Sequence, residues 1–188
     1  MPTHPDAPRA LDPSELRRVF GLFTTGVTVV TGLREGGEPV GVTANSVTSV
    51  SLDPPLILWC LANSSSSRSA FALHATFAIH ILAAAQADIA MHFARSGGLK
   101  FDPRSARAVA SAPPSIEGAL ARIECRVVAV YPGGDHVIIV GAVDGFTMQA
   151  GQPLAFHASR FGRFAESEVS SAVDVWRDAR DGSIADER

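Results

Sequence analysis

The chain has 188 residues, of which 46% are apolar and 19% charged, with a formal net charge of −3. That length and balance describe one folded domain with a real core rather than a disordered chain. There is no basic surplus to meet a phosphate backbone, which argues against nucleic acid as a partner. The longest apolar run, residues 56–62, is far too short to cross a bilayer as a helix, and residues 1–11 are Pro-rich without the apolar centre of a signal peptide. A cytoplasmic protein without membrane attachment is expected. Cys60 and Cys125 form no CxxC pair and sit in apolar segments, which predicts buried, reduced thiols.

Residues 1–11 read as a loose arm. Asp12-Pro13-Ser14-Glu15 is a helix start, with Asp12 as the cap and Pro13 at the first helical position. Leu16, Val19, Phe20 and Phe23 then recur at helical spacing, which predicts one buried face and a helix ended by Gly26. The texture next turns to β. Val27-Thr28-Val29-Val30-Thr31 is β-branched throughout, Glu35-Gly36-Gly37-Glu38 reads as a hairpin tip, and Val40-Gly41-Val42-Thr43 as the return strand. Residues 47–52 and 56–61 are further strands, split by Asp53-Pro54-Pro55, whose prolines cannot donate to a ladder.

Residues 63–67 form a polar loop and 68–73 a short helix. Residues 77–82 are a strand. Residues 86–94 are a short helix with Ile89 and Phe93 on one side. Residues 95–119, rich in Gly, Pro and Ser, form a long ordered loop. Ile123, Cys125, Val127, Ala129 and Tyr131 alternate with Arg122, Glu124 and Arg126, Pro132-Gly133-Gly134-Asp135 turns the chain, and residues 137–143 return as a central strand, apolar on both faces. The domain closes near residue 164, and residues 165–188 form an acidic tail. Many short strands and few helices predict a closed or nearly closed antiparallel barrel.

Four places could carry chemistry. Thr43, Ala44, Asn45 and Ser46, with Ser49, Val50 and Ser51 after them, crowd small hydroxyl and amide groups into one strand-loop-strand, where backbone can approach a flat ligand. An ordinary Ser/Thr-rich edge strand has the same composition. Asn63, Ser64, Ser67 and Arg68 precede a short helix, a setting that suits a phosphate as well as a plain helix cap. His136, after Gly134-Asp135, opens a buried strand and either lines a pocket or faces water. Lys100, beside Phe101, either meets a phosphate or is a solvated loop charge. The six histidines (4, 74, 80, 92, 136 and 157) form neither HxxxH nor HExxH, so no metal site is expected, and GxGxxG, GxxxxGK[ST] and GxSxG are absent.

Taken in order, these segments resemble the short-chain flavin reductase family, which includes the small reductase components of two-component flavin-dependent monooxygenases. The resemblance runs over residues 16–164. It rests on residues 26–31, 41–46 and 49–56, on Phe77-Ala78-Ile79-His80-Ile81-Leu82, on Lys100-Phe101, on Gly118-Ala119-Leu120-Ala121, on Gly134-Asp135-His136 and on Pro153-Leu154-Ala155-Phe156.

The resemblance implies a mainly β protein, an antiparallel split β-barrel with a few short helices, acting as a homodimer. It implies an enzyme that reduces FMN or FAD with NADH or NADPH and supplies reduced flavin to a transient oxygenase partner. On this reading Thr43, Ala44, Asn45, Ser46, Ser49, Val50 and Ser51 line the isoalloxazine. Asn63, Ser64, Ser67 and Arg68 hold the phosphate end, with Lys100 and Phe101 nearby. His136, the catalytic candidate, borders the nicotinamide with Arg160 and Phe161. Three positions depart from the family's pattern: Leu99 replaces an acidic residue, Phe161 a tyrosine and His80 an asparagine. A split-barrel flavoenzyme that holds its flavin tightly, as in pyridoxamine-phosphate oxidases, and a non-catalytic flavin-binding module are the alternative readings.

Overall fold

The computed structural model describes residues 11–95, 97, 100, 101 and 112–165. In chain order its elements are α1 (Pro13–Phe20), β1 (Thr25–Gly26), β2 (Thr28–Leu33), β3 (Pro39–Ala44), β4 (Thr48–Leu52), β5 (Pro55–Ala62), β6 (Thr76–Ile81), α2 (Ala87–Ala94), β7 (Ala121–Gly133), β8 (His136–Met148), β9 (Leu154–His157) and β10 (Arg160–Arg163), with a single 3-10 turn at Arg68–Phe71. Seven strands form one antiparallel sheet in the order β3-β2-β6-β7-β8-β5-β4, and β1, β9 and β10 form a small second sheet. The expected β hairpins and the central place of β8 are all present.

The outermost strands of the large sheet, β3 and β4, are consecutive in the chain. Only Asn45, Ser46 and Val47 join them. An extended stretch of that length reaches about 14 Å at most, so the sheet must curl until its two edges nearly meet. The edges do not pair, and the result is a split barrel rather than a closed one. Ser46 holds the join. Its hydroxyl accepts from the Cys60 amide at 2.9 Å and lies 3.3 Å from the Cys60 carbonyl. β4 pairs with β5 only as far as Leu58, so these backbone groups lack a ladder partner on that side.

Inside the curl lies the main core: Trp59 meets Phe71 edge-on at 4.9 Å between centroids, with Phe77, Ile79, Val127 and Ile139 packed around them. The outer face carries a second cluster, where Ala90 and Phe93 of α2 cover Val27, Val29, Leu82 and Leu154. β6 runs between the two, and Phe77, Ala78, Ile79 and His80 are all buried. Side chains pin residues 112–118 onto the outer face: Thr31 donates to the Pro114 carbonyl (2.8 Å), Arg122 to that of Pro113 (3.1 Å) and Gln86 to that of Glu117 (2.7 Å).

Several expectations are corrected. Asp12 caps α1 as anticipated, accepting the Ser14 amide at 2.7 Å, but the helix ends at Phe20 and not at Gly26. Pairing of Thr25 and Gly26 with Phe156 and Ala155 takes that segment for β1. The face expected to be buried is open: Val19, Phe20 and Phe23 are 61%, 67% and 78% exposed. The helix expected over residues 68–73 shrinks to the 3-10 turn. Pro55 is the first residue of β5, where no ladder donor is needed, and Pro132 and Gly133 stay on β7, leaving a two-residue turn at Gly134-Asp135. A bulge at Val128 breaks the alternation of β7 and leaves Tyr131 exposed, and a second bulge, at Asp144, lies on β8 opposite Glu124 and Cys125. Both cysteines are free. Cys125 is buried, and burial pushes its thiol up to about 12, while Cys60 is only half-buried. Residues 1–10, most of the loop between 95 and 112, and the tail beyond 165 lie outside the described residues. Among the described residues no helix is long and apolar enough to cross a membrane.

Candidate functional site

A cavity of about 610 Å³ opens where the barrel is split. Gly41, Thr43, Ala44, Asn45 and Ser46 form one wall from β3 and its exit. Cys60, Leu61 and Ala62 form the facing wall at the end of β5. Ser64, Ser65, Ser66 and Ser67 close one end, and Phe93, Ala94, Arg95 and Lys100 rim the other side, with His136 at the edge. Among the described residues no carboxylate lines it, whereas Arg95 and Lys100 bring positive charge. An anionic, flat ligand suits such a trough: small side chains admit close approach, and the hydroxyl loop offers donors to a phosphate.

Within the wall the polar groups divide. Thr43 donates its hydroxyl to the Ala90 carbonyl at 2.6 Å, tying β3 to α2, and the hydroxyl of Ser46 is engaged with Cys60. These two shape the trough. The exposed Asn45 side chain is the one amide on this wall. Gly41 is required by contact: a Cβ there would lie 2.5 Å from the Phe93 ring and 3.3 Å from Phe101. Phe101 stacks behind Phe93, 5.1 Å between centroids, so it backs the wall without lining the cavity.

In the loop, Ser65 accepts the Ser67 amide at 3.3 Å, and Arg34 donates to the Ser66 carbonyl at 3.1 Å. Asn63 is a staple: its side chain donates to the Gly134 carbonyl (3.0 Å) and its amide to that of Asp135 (2.9 Å), holding the serine loop against the β7–β8 turn. Arg68 lies outside the cavity and borders a neighbouring groove. Lys100 lines the cavity, but its ammonium donates to the carbonyls of His92 (3.2 Å), Phe93 (3.1 Å) and Arg95, which makes it the cap of the α2 C-terminus. Partial burial lowers its pKa.

His136 stands beside Asp135, Nδ1 to carboxylate 2.7 Å. A carboxylate only accepts, so the proton sits on Nδ1 and Nε2 is left for a ligand. The hydrogen bond from His136 holds the Asp135 carboxyl below its ordinary value. His80, the residue replacing the family's asparagine, does not reach the cavity. It is fully buried on the outer face with Nδ1 3.1 Å from the Val29 carbonyl, and burial drives its pKa down to about 4.

Ser49, Val50 and Ser51 do not line the trough; they lie on edge strand β4, where Ser51 donates to the Asp53 carbonyl. Arg160 and Phe161 are on β10 of the small sheet, with Phe161 packed on Phe156 at 5.6 Å, and neither borders the cavity. Residues that sequence reasoning passed over include Gly41, Cys60, Leu61, Ala62 and the end of α2. The register of β5 against β8, which sets Ala62 opposite His136, is the signal that would have found part of this wall.

The family described as "Flavin reductase like domain" matches residues 20–165. The chain is 45% identical over 162 residues to FMN reductase (NADH) SmoA of Agrobacterium fabrum, covering 86% of this chain and 92% of that protein. It is 40% identical over 163 residues to the reductase component of the flavin-dependent trigonelline monooxygenase of Acinetobacter baylyi, covering 86% of this chain and 53% of that one. Among solved structures it is similar to the NADH:FAD oxidoreductase SgcE6 of Streptomyces globisporus C-1027 in complex with NAD and FAD fragments. The TM-score is 0.75 and the identity 43%, with 84% of this chain and 95% of that chain covered.

Proposed function

This chain belongs to the flavin reductase-like family, and from that premise we propose that it passes hydride from a reduced nicotinamide nucleotide, NADH in its named relatives, to FMN or FAD. The observation that carries the reading is the trough itself, small-residue walls at the split with a serine loop at one end and His136 at the edge. A bound flavin supplies the ring that accepts hydride.

The protein's part is placement. Ala44, Asn45 and the backbone of the Cys60 wall receive the ring, Ser64 and Ser67 receive the phosphate end, and the absence of carboxylates among the described lining residues favours the anion. His136 presents Nε2 to the nicotinamide, fixed by Asp135. Hydride transfer needs the two reacting atoms about 3–3.5 Å apart, so rigid walls count for more than an acid or a base. The trough is open along one side, which suits a flavin that enters oxidised and leaves reduced for an oxygenase in the cytoplasm. The domain spans residues 12–164. The exposed apolar side chains of α1, with Leu52, Phe146 and Met148, support a homodimer, for which sedimentation at twice the chain mass is the check.

The test is NADH consumption by the purified chain, with and without added FMN or FAD, under air and then anaerobically. Consumption that depends on added flavin supports the proposal. Tight flavin retention without flavin-dependent NADH loss refutes it in favour of another flavoenzyme, and flavin binding with no NADH loss at all in favour of a binding module.

A further inference from the structure

Asn63 is the first residue past β5, and Ser64 after it lines the trough. Its side-chain amide donates to the Gly134 carbonyl at 3.0 Å and its backbone N–H to the Asp135 carbonyl at 2.9 Å. Few contacts otherwise steady that turn. Gly133, Gly134 and Asp135 are exposed, the Asp135 side chain by 93%, and a Cβ at Gly134 would meet nothing within 4 Å. Among the described residues, the hydrogen bonds that reach Gly134 and Asp135 from outside their own hairpin both come from Asn63. The Asp135 carboxylate is in turn what holds His136 Nδ1, at 2.7 Å.

We propose that Asn63 is a positioning residue that couples the two substrates: phosphate held by the serine loop fixes Asn63, Asn63 fixes the Gly134-Asp135 turn, and the turn fixes His136 for the nicotinamide. The inference rests on the reading above, in which Ser64 and Ser67 receive the phosphate end of the flavin and His136 meets the hydride donor. The serine loop has few bonds of its own. The Ser65 amide donates to the Ala62 carbonyl at 3.0 Å, the Ser67 amide to the Ser65 hydroxyl at 3.3 Å and Arg34 to the Ser66 carbonyl at 3.1 Å, while Ser64 and Ser66 are exposed. A phosphate that accepts from this loop therefore orders it, and whatever ordering the first ligand brings about is a cost the second ligand does not meet again. Such a linkage is reciprocal, so the nicotinamide nucleotide strengthens the hold on the phosphate by the same factor. Register makes the connection possible. Ala62 pairs with His136 in the β5–β8 ladder, so the next residue falls opposite Asp135, and a slip of one residue would turn the amide of Asn63 away from the turn.

The test is calorimetric titration with NAD+, which has no hydride to give, of the full chain saturated with FMN or with riboflavin. Riboflavin lacks the phosphate, so the ratio of the two NAD+ affinities reads the coupling. It is measured in the wild type and in Asn63→Ala and Asn63→Leu, which both remove the side-chain donor, one with and one without a change of size. Asn63 is exposed, and an unchanged thermal melt confirms the fold. Direct repulsion between the FMN phosphate and NAD+ is common to all three proteins and cancels when their ratios are compared. Each substitution should lower the FMN-over-riboflavin ratio by about threefold to tenfold, the span of one net hydrogen bond. His136→Ala should lower it by a similar factor, and Asn63→Ala added to His136→Ala should lower it no further. A ratio unmoved by either Asn63 substitution overturns the proposal. So do losses from Asn63 and His136 that add independently, because the coupling then bypasses the turn. If the wild type binds no flavin, or holds FMN no more tightly than riboflavin, the reading of the trough fails and the proposal with it; that failure shows before any NAD+ is added, so the two are told apart.

Discussion

Gly41→Ala isolates the packing that shapes one wall of the trough. The new Cβ would sit 2.5 Å from two carbons of the Phe93 ring and 3.3 Å from Phe101. Contact between carbons begins near 3.5 Å, so the ring must retreat by about 1 Å. Phe93 is 6% exposed and is held against Ala90, Leu82 and Val29, which leaves little room to move. Overpacking of this kind costs about 1–3 kcal/mol. For a chain of this size that lowers the melting midpoint by roughly 2–12 °C. Because Phe93, Ala94 and Arg95 rim the cavity, the same shift should weaken flavin binding. Thermal melts and flavin titrations of Gly41→Ala, Phe93→Leu and the double variant form the assay. The smaller side chain makes space for the added methyl, so the double variant should be more stable than the sum of the single losses by about 1 kcal/mol or more. A Gly41→Ala protein as stable as the wild type, or strictly additive losses, would refute the reasoning.

Ser46→Ala leaves the half-buried Cys60 amide without its partner and should destabilise by about 1–3 kcal/mol in chemical denaturation, whereas Ser46→Thr should retain most of the loss-sensitive contact. His136→Ala should lower the rate of flavin reduction by NADH in stopped-flow more than it weakens flavin binding, and an unchanged rate would remove His136 from the reaction. His80 gives a pH dependence with a defined sign. Its folded pKa, about 4, lies below its ordinary 6.5, so the unfolded chain binds the extra proton first. The stability from burying neutral His80 is therefore complete above about pH 6.5 and declines as pH falls toward 4, by about 3 kcal/mol in all. Urea midpoints of wild type and His80→Asn across that range should converge, and parallel curves would contradict it.

Local signals were strongest where chemistry and geometry coincide over a few residues. The Asp12-Pro13 start of α1, the β-branched run into β2 and the hairpin into β8 could be read directly, because capping and pleat periodicity act between near neighbours. The serine loop and residues 43–46 drew attention by composition. Ser49 and Ser51 share that composition but lie on β4 outside the trough, and composition could not separate them, since only the pairing of β4 with β5 decides which edge they occupy. Lys100 read as either a phosphate partner or a solvated loop charge; the carbonyls it caps belong to α2, whose C-terminus the chain returns to only in the folded state.

The amino-acid order alone determined the strand-rich class, the family and the small polar segments, because propensity, turn chemistry and ordered motifs are properties of short stretches. Tertiary structure decided which of those segments share a cavity. The three-residue join between β3 and β4 curls the sheet until strands at its opposite edges face each other, and that brings Cys60, Leu61 and Ala62 across from Thr43 and Ala44. A contact made by closure between edges has no periodicity along the chain, so it becomes visible only when the strands have their order in space.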